Sequence, residues 1–257
     1  SSKSVSTVAI IGEPGIGKSR LATAVSDEAV IQNEQLNVMK FSGDPRLASA
    51  AFSIPRDILA QVTSQKPSDA DRLIEKSRSK SAAKILFGPA RDANAGNLAP
   101  NEVGRTFAEL LEASVQDQPT LLVIEDLHFI DPDSRVCLQF INSINANLKL
   151  IITARPEAEE PAKMVARSSL TLQPMARNDM LKLAGKLIET DDREEISAAV
   201  DRADGIPLHI EQIALSLREG TGTSSTPQSI QSPVHARLNS VSAKAKSHAQ
   251  TLSGVGE

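Results

Sequence analysis

The first twenty-odd residues limit the possible folds of this chain more than any other stretch. Val8, Ala9, Ile10 and Ile11 make a short apolar run with two adjacent isoleucines, the pattern of a buried strand. Gly12 ends that run, and Gly12-x-x-x-x-Gly17-Lys18-Ser19 follows without a gap. Leu21, Ala22 and Val25 then recur at helical spacing. Strand, glycine loop and helix, in that order, form a cradle for phosphates. Gly12, Gly15 and Gly17 let the backbone turn back and aim N–H groups inward with no Cβ in the way. The start of the helix adds about half a positive charge at the same point. Lys18 is placed to reach the outer phosphates as a point charge, and Ser19 offers a hydroxyl to Mg²⁺. Glu13, Pro14, Ile16 and Arg20 complete the cradle as its lining residues.

A second half of the same site is written about a hundred residues later. Thr120 to Ile124 is a continuous apolar run behind Pro119, as in a strand buried on both faces. It ends in Glu125 and Asp126. One such carboxylate would hold Mg²⁺, directly or through water, and the other would orient or deprotonate an attacking water. Spacing alone does not divide the roles; Glu125 is placed on the metal side with Ser19, and Asp126 on the water. Arg155 stands at the tip of another apolar strand, Leu148 to Thr153, where an arginine can reach a γ-phosphate. Asp131 followed by Pro132 reads as the cap of a helix running to about Asn145. His128 either senses the nucleotide or packs. Cys137 reads as a small core hydrophobe.

Composition narrows the alternatives. The chain has 257 residues, 40% hydrophobic and 23% charged, which suits one large or two modest globular domains. It has no Trp or Tyr and six Phe, so its core must be aliphatic, and a stacking platform for single-stranded nucleic acid is disfavoured. A formal net charge of −4 gives no general pull toward DNA or anionic lipid. With one cysteine no disulfide can form within the chain, which fits a reducing, cytoplasmic setting. No apolar run approaches the roughly 20 residues that cross a bilayer. His209, His235 and His248 show no metal-ligand spacing. The chain starts almost at its first strand and is expected to be a piece of a longer polypeptide.

Taken in order, the pattern predicts further strands at 36–41 and 169–172. Helices are expected at 56–63, 70–79, 81–87 and 101–116, those before 105 forming an insertion between strands. Five strands alternating with helices imply an α/β fold, a parallel sheet flanked by helices. After residue 174 only helices follow, at 177–188, 193–202 and 208–218, with a break at Asp204-Gly205-Ile206-Pro207. The expected organisation is an α/β domain over 1–174 and a smaller all-α lid domain over 175–257. The stretch 220–227 reads as a flexible loop, and 232–241 and 243–252 as weak closing helices.

Four motifs in this order resemble one family. Gly12 to Leu21 is similar to the phosphate loop of STAND-class P-loop NTPases, most of all the AAA-type ATPase module beside bacterial cyclase and kinase domains and in LuxR-type regulators. Leu121 to Ser134 resembles that family's acidic-strand motif, with Phe129 where a Trp is usual. Thr153-Ala154-Arg155-Pro156 resembles its sensor arginine, and Gly205-Ile206-Pro207 its helical-domain turn, whose proline lies against the adenine. The tail resembles the approach to a winged-helix domain. The resemblance implies ATP and ADP as ligands, Mg²⁺ as cofactor, and slow hydrolysis. It also implies a switch in which ADP holds the helical domain closed and ATP permits self-association, with the effector and sensor domains lying outside this chain. Two other readings stay open: a scaffold that binds nucleotide without hydrolysing it, and an AAA+ ATPase of the replication-initiator or loader type. The initiator would show a basic face at Arg237, Lys244, Lys246 and His248, residues read more simply as solvated surface.

Overall fold

The structure is a computed structural model and describes residues 5–63, 68–88, 98–116, 118–188, 190 and 192–218. The expected loop at 220–227, the closing helices and the four basic residues just named lie outside the described residues. The chain divides into two compact units, Ser1–Gln173 and a second beginning at Pro174.

The first unit is built on five parallel strands, β1 (Val5–Ile11), β2 (Asn37–Ser42), β3 (Thr120–Glu125), β4 (Leu148–Ala154) and β5 (Ser168–Thr171), in the order β2-β3-β4-β1-β5. β4 therefore lies between β1 and β3, with Ile11 opposite Ala154 and Ile124 opposite Ile152. That register sets the ends of the glycine-loop strand, the acidic strand and the arginine strand side by side. In an open parallel sheet this carboxyl edge is where ligands bind.

Strand side chains alternate between two faces. Ile11, Leu122, Ile124, Leu150 and Ile152 enter the main core. There they meet α2 (Ser53–Thr63), α4 (Lys80–Phe87), α5 (Pro100–Val115), α6 (Pro132–Gln139) and α7 (Glu159–Val165) through Ile58, Leu86, Phe107, Leu138 and Val165. Ile10, Leu121, Val123 and Ile151 face the other way, against Ala22 of α1 (Lys18–Gln32). The core is aliphatic, as the composition requires; Phe52 and Phe107 are the aromatic rings among its largest fully buried side chains. Among the described residues, the inserted stretch holds the expected helices, α3 (Ser68–Lys76) and α4.

One expected element differs. The helix after Asp131 stops at Gln139 instead of Asn145 and tightens into a 3-10 turn over Phe140–Ser143. Groups from elsewhere in the chain bind its residue Asn142. The amide of Asn142 donates to the carbonyl of Val165 at 2.6 Å and accepts from the Thr7 hydroxyl at 3.0 Å. Its own carbonyl accepts from the Arg167 guanidinium at 2.7 Å.

The second unit packs α8 (Arg177–Leu187), α9 (Arg193–Ala203) and α10 (Pro207–Arg218) around Met180, Ala184, Val200, Ala203, Ile210 and Ala214. Gly205 links α9 to α10 with φ of 72°, and its carbonyl accepts from Met175 N–H at 2.8 Å. Among the described residues no helix is long and apolar enough to cross a membrane.

Candidate functional site

The glycine loop closes on its own backbone. Gly12 N–H donates to the Ala154 carbonyl of β4 at 3.2 Å, which fixes the start of the loop. Ile16 N–H donates back to Glu13 at 3.3 Å, turning the chain around Pro14. Gly15 and Gly17 hold φ of 78° and 107°, left-handed values that a side chain resists and glycine adopts freely. Gly17 immediately precedes α1, and no side chain caps that helix or places an acid in its first turn. The orphan N–H groups of a helix start need an acceptor, and their dipole favours an anion. Ile16, 7% exposed, anchors the loop beneath.

Lys18 is buried, and its ammonium donates to the carbonyls of Gly12 at 2.8 Å and Glu13 at 3.0 Å. Burial lowers its pKa from the ordinary lysine value; Asp126 acts to raise it and Arg155 to lower it further. The lysine of the loop thus shares one electrostatic field with the acid after β3 and the arginine after β4.

β3 ends at Glu125, whose carbonyl accepts from Gly43 N–H at 2.9 Å. By alternation Glu125 shares a sheet face with Leu121 and Val123, the face on which α1 packs. Ser19 stands in the first turn of α1, on that same side. Asp126 then leaves the strand in the left-handed region, with φ of 56° and ψ of 51°. Its backbone is pinned at both ends: its N–H donates to the hydroxyl of buried Thr153 at 3.0 Å, and its carbonyl accepts from Phe129 N–H at 2.9 Å. The Arg155 guanidinium lies over the Phe129 ring at 5.5 Å, with Nη1 3.9 Å from Glu157 Oε1. His128 packs beside Phe129 with ring centroids 4.0 Å apart. Burial and the Arg155 charge hold its pKa below the ordinary histidine value, against the pull of Asp126.

Asp131 caps α6 as expected, accepting from Ser134 N–H at 2.8 Å. It also does something the sequence did not announce. The same carboxylate, 1% exposed, accepts from the Ser134 hydroxyl at 2.6 Å, from Phe52 N–H at 3.1 Å, from Ser53 N–H at 3.3 Å and from the Ser53 hydroxyl at 2.8 Å. It therefore ties the entry of α2 to the start of α6. Cys137 is buried, and desolvation pushes its thiol far above the ordinary range, which makes it inert. Pro207 belongs to the second unit, where it is the first residue of α10.

The residues present suit a nucleotide with Mg²⁺. Among the described residues no group of three or more His, Cys, Asp or Glu could hold a metal ion. Mg²⁺ does not need such a cage, because it keeps several waters and takes phosphate oxygens with one or two protein oxygens. The Ser19 hydroxyl and the Glu125 carboxylate supply two oxygens of the right kind.

The family profile of the AAA ATPase domain matches residues 1–152. Among solved structures, the chain is similar to a signal-transduction ATPase with numerous domains (STAND) from Pyrococcus horikoshii that carries a tetratricopeptide-repeat sensor. The identity is 15% and the TM-score 0.52, over 93% of this chain and 31% of that one. The chain thus spans less than a third of that protein. It is also similar to a structure of an Escherichia coli MS115-1 HORMA:CdnC:Trip13 complex, at 10% identity and TM-score 0.49, over 93% of this chain and 75% of that one. A third likeness is a singly substituted RuvB of Thermotoga maritima, at 14% identity and TM-score 0.48, over 83% and 54% of the two chains. No curated protein sequence matches the chain.

Proposed function

The chain belongs to the AAA ATPase domain family, and from that premise we propose that its first unit is the nucleotide switch of a longer signalling or transcription-regulating protein, binding ADP and ATP and hydrolysing ATP slowly. One observation carries the reading. Gly15 and Gly17 present an uncapped helix start, and Lys18 sits there within the field of Asp126 and Arg155.

In this reading the loop N–H groups and the start of α1 grip the phosphates. Lys18 exchanges its two carbonyl partners for phosphate oxygens, which are stronger acceptors for an ammonium. Ser19 and Glu125 hold Mg²⁺, which neutralises charge on the outer phosphates when bound. That Glu125 faces the α1 side of the sheet supports this role for it. Asp126 orients the attacking water. Arg155 leaves the Phe129 ring to meet the third phosphate, a contact that only the triphosphate provides. Differential contact of this kind is what can shift a two-state equilibrium. The assignment of Pro207 to the adenine rests on the family resemblance alone. Self-association in the ATP form and a cytoplasmic setting belong to the same proposal.

The test is direct. The nucleotide released on denaturing the purified protein is identified by chromatography, and Mg-ADP is titrated into nucleotide-free protein by calorimetry. ADP in the extract and saturable binding are expected; an empty extract and no heat of binding would overturn the reading.

A further inference from the structure

We propose that His128 is a positioning residue that orients the Asp126 carboxylate, donating its Nδ1–H to Oδ1 when nucleotide is bound. The inference rests on the nucleotide-binding reading above.

His128 lies in the 3-10 turn Leu127–Phe129, directly behind Asp126. Its side chain is 8% exposed, and both ring nitrogens are buried with no hydrogen-bond partner. A neutral imidazole carries one donor and one acceptor. Burying both unmade forfeits their hydration with nothing in return. A leucine of similar size would pack against Phe129 without that penalty, so packing alone gives no reason for a polar ring here.

The geometry points to the missing partner. Nδ1 is 4.0 Å from Asp126 Oδ1, about 1 Å beyond a hydrogen bond. The Asp126 backbone cannot travel to close that gap, because Thr153 and Phe129 hold it on either side. The Asp126 side chain can turn, since it is 41% exposed. A rotation of the carboxylate toward the ring closes the gap and fixes the aim of the other oxygen. The charged groups around the ring suit a neutral donor. Lys18 and Arg155 face it as cations, with Asp126 and Glu157 as the opposing acids. A neutral Nδ1–H orients Asp126 without adding a third cation beside the two already there.

The test uses wild type, His128→Leu and His128→Asn, with Mg-ADP binding measured first on each. The amide of asparagine places an N–H donor near the Nδ1 position, whereas leucine offers none. In wild type, ¹⁵N-edited NMR of the ring should show the Nδ1–H signal sharpen and shift downfield when a non-hydrolysable ATP analogue with Mg²⁺ is added. His128→Leu should melt at or above the wild-type temperature without ligand and bind Mg-ADP within about threefold of wild type. Its single-turnover phosphate release should be about tenfold slower or more, and His128→Asn should recover most of that loss. A ring signal that stays unchanged in protein shown to bind the analogue would overturn the proposal, whatever the turnover. So would a His128→Leu enzyme that hydrolyses at the wild-type rate. If wild type fails to bind Mg-ADP at all, the nucleotide reading itself falls, and the binding step shows that before the ring is examined.

Discussion

The two halves of the candidate site reach their shapes by opposite means. In the glycine loop the left-handed positions are Gly15 and Gly17, residues that adopt them without strain, and the buried ammonium of Lys18 is satisfied by the loop's own carbonyls. In the acidic turn the left-handed position is Asp126, a residue that does not favour it, and the buried ring of His128 is satisfied by nothing. A non-glycine residue held there costs on the order of 1 kcal/mol or more. The loop draws most of its shape from its own residues, with one tie from Gly12 N–H to the Ala154 carbonyl of β4. The acidic turn is held from β4, where the Thr153 hydroxyl accepts from Asp126 N–H, while just beyond it Asp131 ties the start of α6 to the entry of α2. The difference separates a part proposed to bind from a part proposed to act: Asp126 and His128 put a left-handed residue and a ring without hydrogen bonds into one turn.

Lys18→Ala should give the largest change. Removing the one ammonium in the loop should weaken Mg-ADP binding by about a hundredfold or more, read by calorimetry, while the fold survives. An unchanged affinity would break the assignment of the loop as the binding half. Next comes Asp131→Ala, which strips five hydrogen bonds from one buried carboxylate. It should cost about 3–5 kcal/mol, a drop in melting temperature of roughly 10 °C. A drop of only a degree or two would mean that the tie between α2 and α6 contributes little.

Gly43→Ala probes the acidic turn from the residue just after β2. A Cβ at Gly43 would collide with the Asp126 carbonyl oxygen and crowd Phe129 and Ile130. A loss of about 1–3 kcal/mol and slower hydrolysis are expected, with Mg-ADP affinity nearly unchanged. Asp126→Gly should do the reverse for stability. It releases the left-handed strain and should stabilise by about 0.5–1 kcal/mol while hydrolysis is lost. Asp126→Asn tolerates the same backbone, so it should lose hydrolysis without the gain. If the glycine variant is no more stable than the asparagine variant, the turn is not strained.

The smallest effect is in pH. The folded protein resists protonating His128, whereas the unfolded chain takes the proton near the ordinary value of 6.5. Protons therefore favour the unfolded state, and stability falls as pH drops below about 6.5 toward the lowered folded value. Wild type should lose melting temperature more steeply than His128→Asn between about pH 7 and pH 5. Parallel curves would show that the ring is not held neutral.

This contrast also explains what could be read from the chain before folding. Gly12 to Ser19 is contiguous, and its geometry follows from local rules about glycine and helix starts, so motif and shape are legible together. The buried run Thr120 to Ile124 is equally local. Glu125 and Asp126 were visible as acids, but the left-handed Asp126 depends on a hydroxyl 27 residues away in β4. The second role of Asp131 joins residues 79 apart, and no sequence pattern pairs them. The 3-10 tightening at Phe140–Ser143 is likewise set from afar, by Thr7, Val165 and Arg167. Strand order adds a global constraint: alternation announces a parallel sheet, whereas the insertion of β4 between β1 and β3 is what unites the two halves.

Amide hydrogen exchange with and without Mg-ADP tests the central claim most directly, because the grip on phosphate is assigned to backbone N–H groups. Exchange should slow most in peptides covering Gly12 to Arg20, by tenfold or more, and less around Glu125 to Phe129. Saturating nucleotide that leaves exchange across Gly12 to Arg20 unchanged would contradict the account, whatever protection appeared elsewhere.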